Sequence, residues 1–135
     1  MEFFTFISHE WLLVSTLVVL IYLYAWRERI KNGKPVSVSE AVSLINADKA
    51  VWVDVRDASE FAAGHMVDAI NIPHAKLVSE LDRLEKHRDQ VLILVDKMGQ
   101  HAGAAGRLLG AQGYVVRRLS GGAAEWRNQS LPLVK

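Results

Sequence analysis

Val91-Leu92-Ile93-Leu94-Val95-Asp96-Lys97-Met98-Gly99-Gln100-His101-Ala102, running on through Gly103-Ala104-Ala105-Gly106-Arg107-Leu108-Leu109, is the stretch that decides the fold. Its first five residues are apolar without interruption and rich in β-branched side chains, the pattern of a strand buried on both faces, as in a parallel sheet. Its last part is rich in Ala and Leu and closes at Gly113, a glycine suited to a helix C-terminus. Between them a short loop leaves the carboxyl end of a strand and enters the amino end of a helix. In open α/β sheets ligands bind at such places, and the converging N–H groups and the helix dipole favour an anion there. The loop 96–102 is therefore read as an anion cradle with Asp96 at its entrance.

Outward from this loop, strands alternate with helices. Ser37 and Glu40 have the form of a capping box for a short helix carrying Ala41, Val42, Leu44 and Ile45. Residues 51–55 read as a strand. Asp57 to Glu60 form a second capping signal for a helix ended by Gly64. Residues 69–72 are a strand stopped by Pro73. Residues 76–88 read as an amphipathic helix with Leu77, Leu81 and Leu84 on one face, residues 114–119 as a last strand, and residues 123–127 as a helical turn after Gly121-Gly122. The alternation predicts an α/β domain with a largely parallel sheet flanked by helices.

Ahead of the domain, residues 11–26 form a sixteen-residue run without charge. As a helix it spans about 24 Å, slightly short of a bilayer core of roughly 30 Å. Phe3, Phe4, Phe6 and Ile7 are expected to add apolar length, and Trp11, Tyr22, Tyr24 and Trp26 are placed as interfacial aromatic belts. Glu2 and Glu10 stand where a signal peptide carries basic residues, so the run is read as an uncleaved transmembrane anchor. Arg27, Arg29, Lys31 and Lys34 follow the run, and no Lys or Arg precedes it. The positive-inside rule then puts the N-terminus outside and the remainder in the cytoplasm. Asn32-Gly33-Lys34-Pro35 is a breaker cluster. The expected organisation is a short segment 1–10, a transmembrane helix 11–26, a basic linker 27–35 and a domain 36–135. The expected location is the inner (plasma) membrane of a bacterium, crossed once.

Composition narrows the function. The 135 residues are 50% hydrophobic with a net charge of +1, which argues against a nucleic-acid partner. There is no cysteine, hence no disulfide, thiolate nucleophile or cysteine metal site.

Two separated motifs carry a family resemblance. Asp54-Val55-Arg56, Glu60-Phe61, Gly64-His65-Met66 and Ala69-Ile70-Asn71-Ile72-Pro73 resemble the first signature of rhodanese-like domains. Leu119-Ser120-Gly121-Gly122, Trp126 and Leu131-Pro132 resemble the closing one. The spacing matches one module over roughly residues 36–133, and the preceding apolar helix resembles the membrane-anchored single-module type. The resemblance implies a five-stranded parallel sheet flanked by helices. It also implies that a cysteine after the central strand accepts a sulfur atom and passes on the persulfide. Ungapped counting from Arg107-Leu108-Leu109 puts Asp96 at that cysteine's position, Gly99 at the loop glycine, His101 where arginine is common and Ala102 where serine or threonine is. A carboxylate is a hard oxygen nucleophile and does not replace a thiolate in sulfur transfer.

The loop Asp96, Lys97, Met98, Gly99, Gln100, His101, Ala102 is thus read as vestigial, with Asp96 as a built-in ligand that accepts loop N–H bonds and repels free anions. His65, Arg56 and Trp126 are read as structural. No metal, cofactor or catalytic residue is expected. The function expected is a catalytically silent, membrane-tethered interaction or scaffold module, with the bilayer and a membrane-associated protein as partners. The competing reading is a hydrolase acting on a phosphorylated or sulfated substrate through Asp96. For that reading the surrounding sequence offers only Lys97, His101 and Asp54.

Overall fold

The uninterrupted apolar run forms β4 (Val91–Val95), the third of five strands in a wholly parallel sheet. The others are β1 (Lys34–Val36), β2 (Ala50–Asp54), β3 (Ile70–Asn71) and β5 (Val116–Leu119), in the order β1-β5-β4-β2-β3. The computed structural model describes residues 2–31, 34–99 and 101–135, as two compact units, Met1–Ile30 and Lys31–Lys135.

In the larger unit β4 alternates between two cores, as side chains of a strand must. Leu92 and Leu94 join Val53, Val55, Ile72, Leu84 and Leu109 on one face. Ile93 and Val95 join Val36, Trp52, Met66, Leu119 and Trp126 on the other. The helices cover both faces: α3 (Val38–Asn46), α4 (Ala58–Ala63), α5 (Ala102–Ala111) and α6 (Gly122–Asn128). Trp126 meets Trp52 edge to face with ring centroids 5.3 Å apart, and its indole N–H donates to the Pro132 carbonyl at 3.0 Å. This one side chain anchors the C-terminal segment to the sheet.

Local details depart from the sequence reading in four places. Lys34-Pro35, expected in the linker, belong to the sheet: β1 pairs with β5, with Pro35 opposite Arg118. β1 is an edge strand, where a residue without an N–H is tolerated. Asn32 and Gly33 of the breaker cluster lie outside the described residues. The amphipathic helix expected over 76–88 is replaced by two 3₁₀ segments, His74–Lys76 and Leu81–His87. Between them the Ser79 hydroxyl donates to the Lys76 carbonyl at 2.9 Å. The Glu80 N–H is shared between the Lys76 and Leu77 carbonyls at 3.1 and 3.3 Å. These bonds tighten the chain into turns, and Leu77 and Leu84 are buried all the same. At α3, Ser37 caps as expected by accepting the Glu40 N–H, but Glu40 pairs with Arg117 across 3.2 Å. Asp57 makes no side-chain capping bond.

In the smaller unit α1 (Glu2–His9) and α2 (Trp11–Lys31) meet at a bend of 77°. Phe3, Phe4, Phe6 and Ile7 therefore do not prolong the apolar run in a straight line. Among the described residues no single helix is by itself long and apolar enough to cross a membrane; α1 and α2 reach that length and composition only as a bent pair.

Candidate functional site

β2 connects to β3 on one side of the sheet, and β4 connects through α5 to β5 on the other. The chain parts between the carboxyl ends of β2 and β4, the place where an open parallel sheet receives a ligand. Asp96 sits there, only 3% exposed. One of its oxygens accepts the Lys97 N–H at 2.8 Å. The other accepts the N–H of His101, the residue that opens α5. The carboxylate thus spans its own loop and takes up amide donors at the helix entrance.

Gly99 turns the loop with φ +91°, and a Cβ added there would touch nothing within 4 Å. Lys97 and Met98 are exposed, Ala102 is buried in the core, and Gln100 lies outside the described residues. The His101 ring stacks flat on His74, with centroids 3.9 Å apart and planes 5° apart. His74 belongs to the other bank of the divide: it follows Pro73, and its N–H donates to the Val55 carbonyl at 3.1 Å. The two rings join the banks over the loop.

The loop is braced from behind by α6. The Ala123 and Ala124 N–H groups donate to the Asp96 and Lys97 carbonyls at 2.7 and 3.0 Å. A Cβ on Gly122 would lie 2.3 Å from the Asp96 carbonyl oxygen, so only glycine permits this approach.

Asp54, the second carboxylate of the sequence reading, is wholly buried and occupied. Arg56 holds it through Nη2 at 2.7 Å and Nε at 3.0 Å, and also through its backbone N–H at 3.0 Å. The same guanidinium donates to the Gly64 carbonyl at 2.7 Å, and the Asn71 amide bonds the Asp54 and Arg56 carbonyls. This network ties β2 to β3 and to the end of α4. His65 is structural as read: Nδ1 bonds the Phe61 carbonyl at 2.8 Å, the ring stacks on Phe61 at 3.7 Å, and the backbone bridges to Val134. Among the described residues no three His, Asp or Glu side chains converge as a metal site requires.

His74, Gly122 and the two α6 amides carry no local sequence signal that places them at this site. Gly121-Gly122 was legible as a turn, but no local pattern says which loop that turn touches.

These features define a class: a single parallel α/β module whose strand-to-helix loop at the sheet's divide holds one anionic group. Comparison with known proteins gives that class its family. A model of the rhodanese-like domain matches residues 37–129, and the chain belongs to the rhodanese-like domain family. The uncharacterized protein YibN of Escherichia coli (strain K12) is 32% identical over 121 residues, which cover 88% of this chain and 85% of YibN. Thiosulfate sulfurtransferase GlpE of Pseudoalteromonas translucida is 28% identical over 94 residues, covering 69% of this chain and 88% of GlpE. The crystal structure of a rhodanese-related protein from Thermoplasma volcanium superposes with a TM-score of 0.68 at 25% identity, covering 75% of this chain and 97% of that one.

Proposed function

We propose that this chain is a rhodanese-like module tethered to a bacterial inner membrane, silent in sulfur transfer, that works on the cytoplasmic face by binding a protein partner. The observation that carries the first part is the seating of Asp96. Its two oxygens accept the Lys97 and His101 N–H groups at the loop. The chain has no cysteine to form a persulfide. The sulfurtransferase activity named for GlpE is therefore not carried over.

Tethering is supported by the uncharged run 11–26 and by the four basic residues that follow it. With the chemistry removed and the scaffold intact, binding is the role left to a module held at the membrane. A hydrolase using Asp96 finds less support, because both carboxylate oxygens are engaged and Asp54 is consumed by Arg56.

The test is thiocyanate formation from thiosulfate and cyanide by the purified full chain. The expected rate equals that of a control without protein. Turnover that persists through repurification and disappears in Asp96→Ala would overturn the reading. Crosslinking in the membrane should capture the same partner with the wild type and with Asp96→Asn.

A further inference from the structure

α1 and α2 present two different surfaces, and the difference assigns them different places. In α1 the residues fall 100° apart around the axis. Phe3, Phe4, Phe6 and Ile7 then share one arc of about 160°, and Glu2, Thr5, Ser8 and His9 fill the opposite arc. The three phenylalanines are 62–73% exposed, so the unit itself gives them no core. In contrast, α2 is apolar all round from Leu12 to Ile21, and the Ser15 and Thr16 hydroxyls turn back onto the Trp11 and Leu12 carbonyls of the same helix.

The bend fixes how the two surfaces are related. Backbone bonds continue on both sides of Glu10, from the Glu10 N–H to Phe6 at 2.8 Å and from the Val14 N–H to Glu10 at 3.1 Å. Among described side chains from 2 to 27, those of Ile7, Glu10 and Val14 are half-buried and the rest are exposed. At 100° per residue these three fall within about 60° on one face, so their shared half-burial around the bend marks that face as the inside of the elbow. Ile7 lies within the apolar arc of α1, so that arc faces the side on which α2 runs.

We propose that α1 is an interfacial helix. It lies along the outer surface of the bilayer with Phe3, Phe4, Phe6 and Ile7 sunk among the upper acyl chains, while α2 crosses by continuing as a helix past the uncharged run to Lys31, about 31 Å in all. A helix set 77° from a crossing neighbour lies nearly in the membrane plane. An apolar arc turned down toward acyl chains, with Thr5 and Ser8 turned to water, is the arrangement of a helix bound to the lipid–water boundary. The occupant of the phenylalanine face is thus lipid. This proposal rests on the membrane reading of α2 given above.

The absence of cysteine from the chain makes each introduced thiol unique. The test is a nitroxide scan of single-cysteine variants at positions 3 to 9 and at Val18, in the full chain reconstituted into phosphatidylcholine–phosphatidylglycerol vesicles. Collisions with oxygen and with a water-soluble nickel chelate are measured at each position, with vesicles opened so that both faces are reached. At Phe3, Phe4, Phe6 and Ile7 the nickel collision rate should be at least roughly fivefold below that at Thr5 and Ser8, with oxygen collisions raised. At Val18 nickel collisions should be lower still.

Val18 protected and all seven α1 positions equally protected would mean that α1 is part of the span, and would overturn the interfacial assignment alone. Val18 protected and all seven open to nickel would place α1 in water and overturn it as well. Phe3, Phe4 and Phe6 closed to both nickel and oxygen would put a protein against that face instead of lipid. Val18 open to nickel would sink the membrane reading itself. Because the decision rests on the period along seven positions, no single misfolded variant determines it.

Discussion

Replacing Gly122 with alanine should push α6 away from the cradle loop. The added Cβ would stand 2.3 Å from the Asp96 carbonyl oxygen and 2.9 Å from that of Lys97. Both are backbone atoms, so no flexible side chain yields. Gly122 also has φ +61°, where an L-residue costs about 1–2 kcal/mol. If α6 retreats, the Ala123 and Ala124 bonds to the loop are lost, at about 0.5–1.5 kcal/mol each. The expected loss is about 2–5 kcal/mol of unfolding free energy. Gly99→Ala is the matched control. Gly99 lies in the same loop with φ +91° but has open space around it, so alanine there should cost about 1–2 kcal/mol from backbone strain alone. Urea unfolding of the two variants measures the difference, and hydrogen exchange at the Ala123 and Ala124 amides reports the brace directly. If Gly122→Ala proves no more destabilising than Gly99→Ala, with both amides still protected, the reasoning about the close approach is refuted.

Three further outcomes follow from the geometry. Asp54→Ala strands the buried Arg56 charge and should cost about 3–5 kcal/mol; combining it with Arg56→Met should recover part of that loss, read by the same urea titration. Glu85 accepts two hydrogen bonds from Arg88, which hold its carboxyl below the ordinary glutamate range. The pair's contribution is therefore present above the unfolded glutamate value and fades as pH falls through the folded one; Arg88→Ala should raise the Glu85 titration midpoint in carboxyl NMR, and an unchanged midpoint would refute the pairing. Removal of residues 1–30 should leave a soluble, folded module because β1 is retained, whereas a cut after Lys34 should destabilise it by fraying the edge of the sheet; circular dichroism and thermal melts decide.

Much of the module was legible because its signals are local. β4 is a run of five apolar residues, the Ser37 cap is set by its neighbours, and Gly113 has the positive φ that a helix stop requires. The capping of the loop by Asp96 was also legible, since strand, acid and helix entrance are contiguous. What was hidden depends on distant partners. β1 exists because β5, some 80 residues later, offers an edge on which Pro35 is harmless. The 76–88 segment has helix-forming residues, yet Arg83 reaches back to the Asn71 carbonyl and the segment is wound as 3₁₀ turns over the core. His74 and His101 meet only after the sheet has brought both banks together.

The cradle persists in this chain and is filled by its own carboxylate. The most direct measurement is the alkylation rate of Asp96→Cys as a function of pH. A preserved cradle stabilises a thiolate with the same amides that now serve Asp96, so the thiol should titrate below the free value of about 8.5. A thiol titrating at or above that value would contradict the account: the amides would then converge only because Asp96 gathers them.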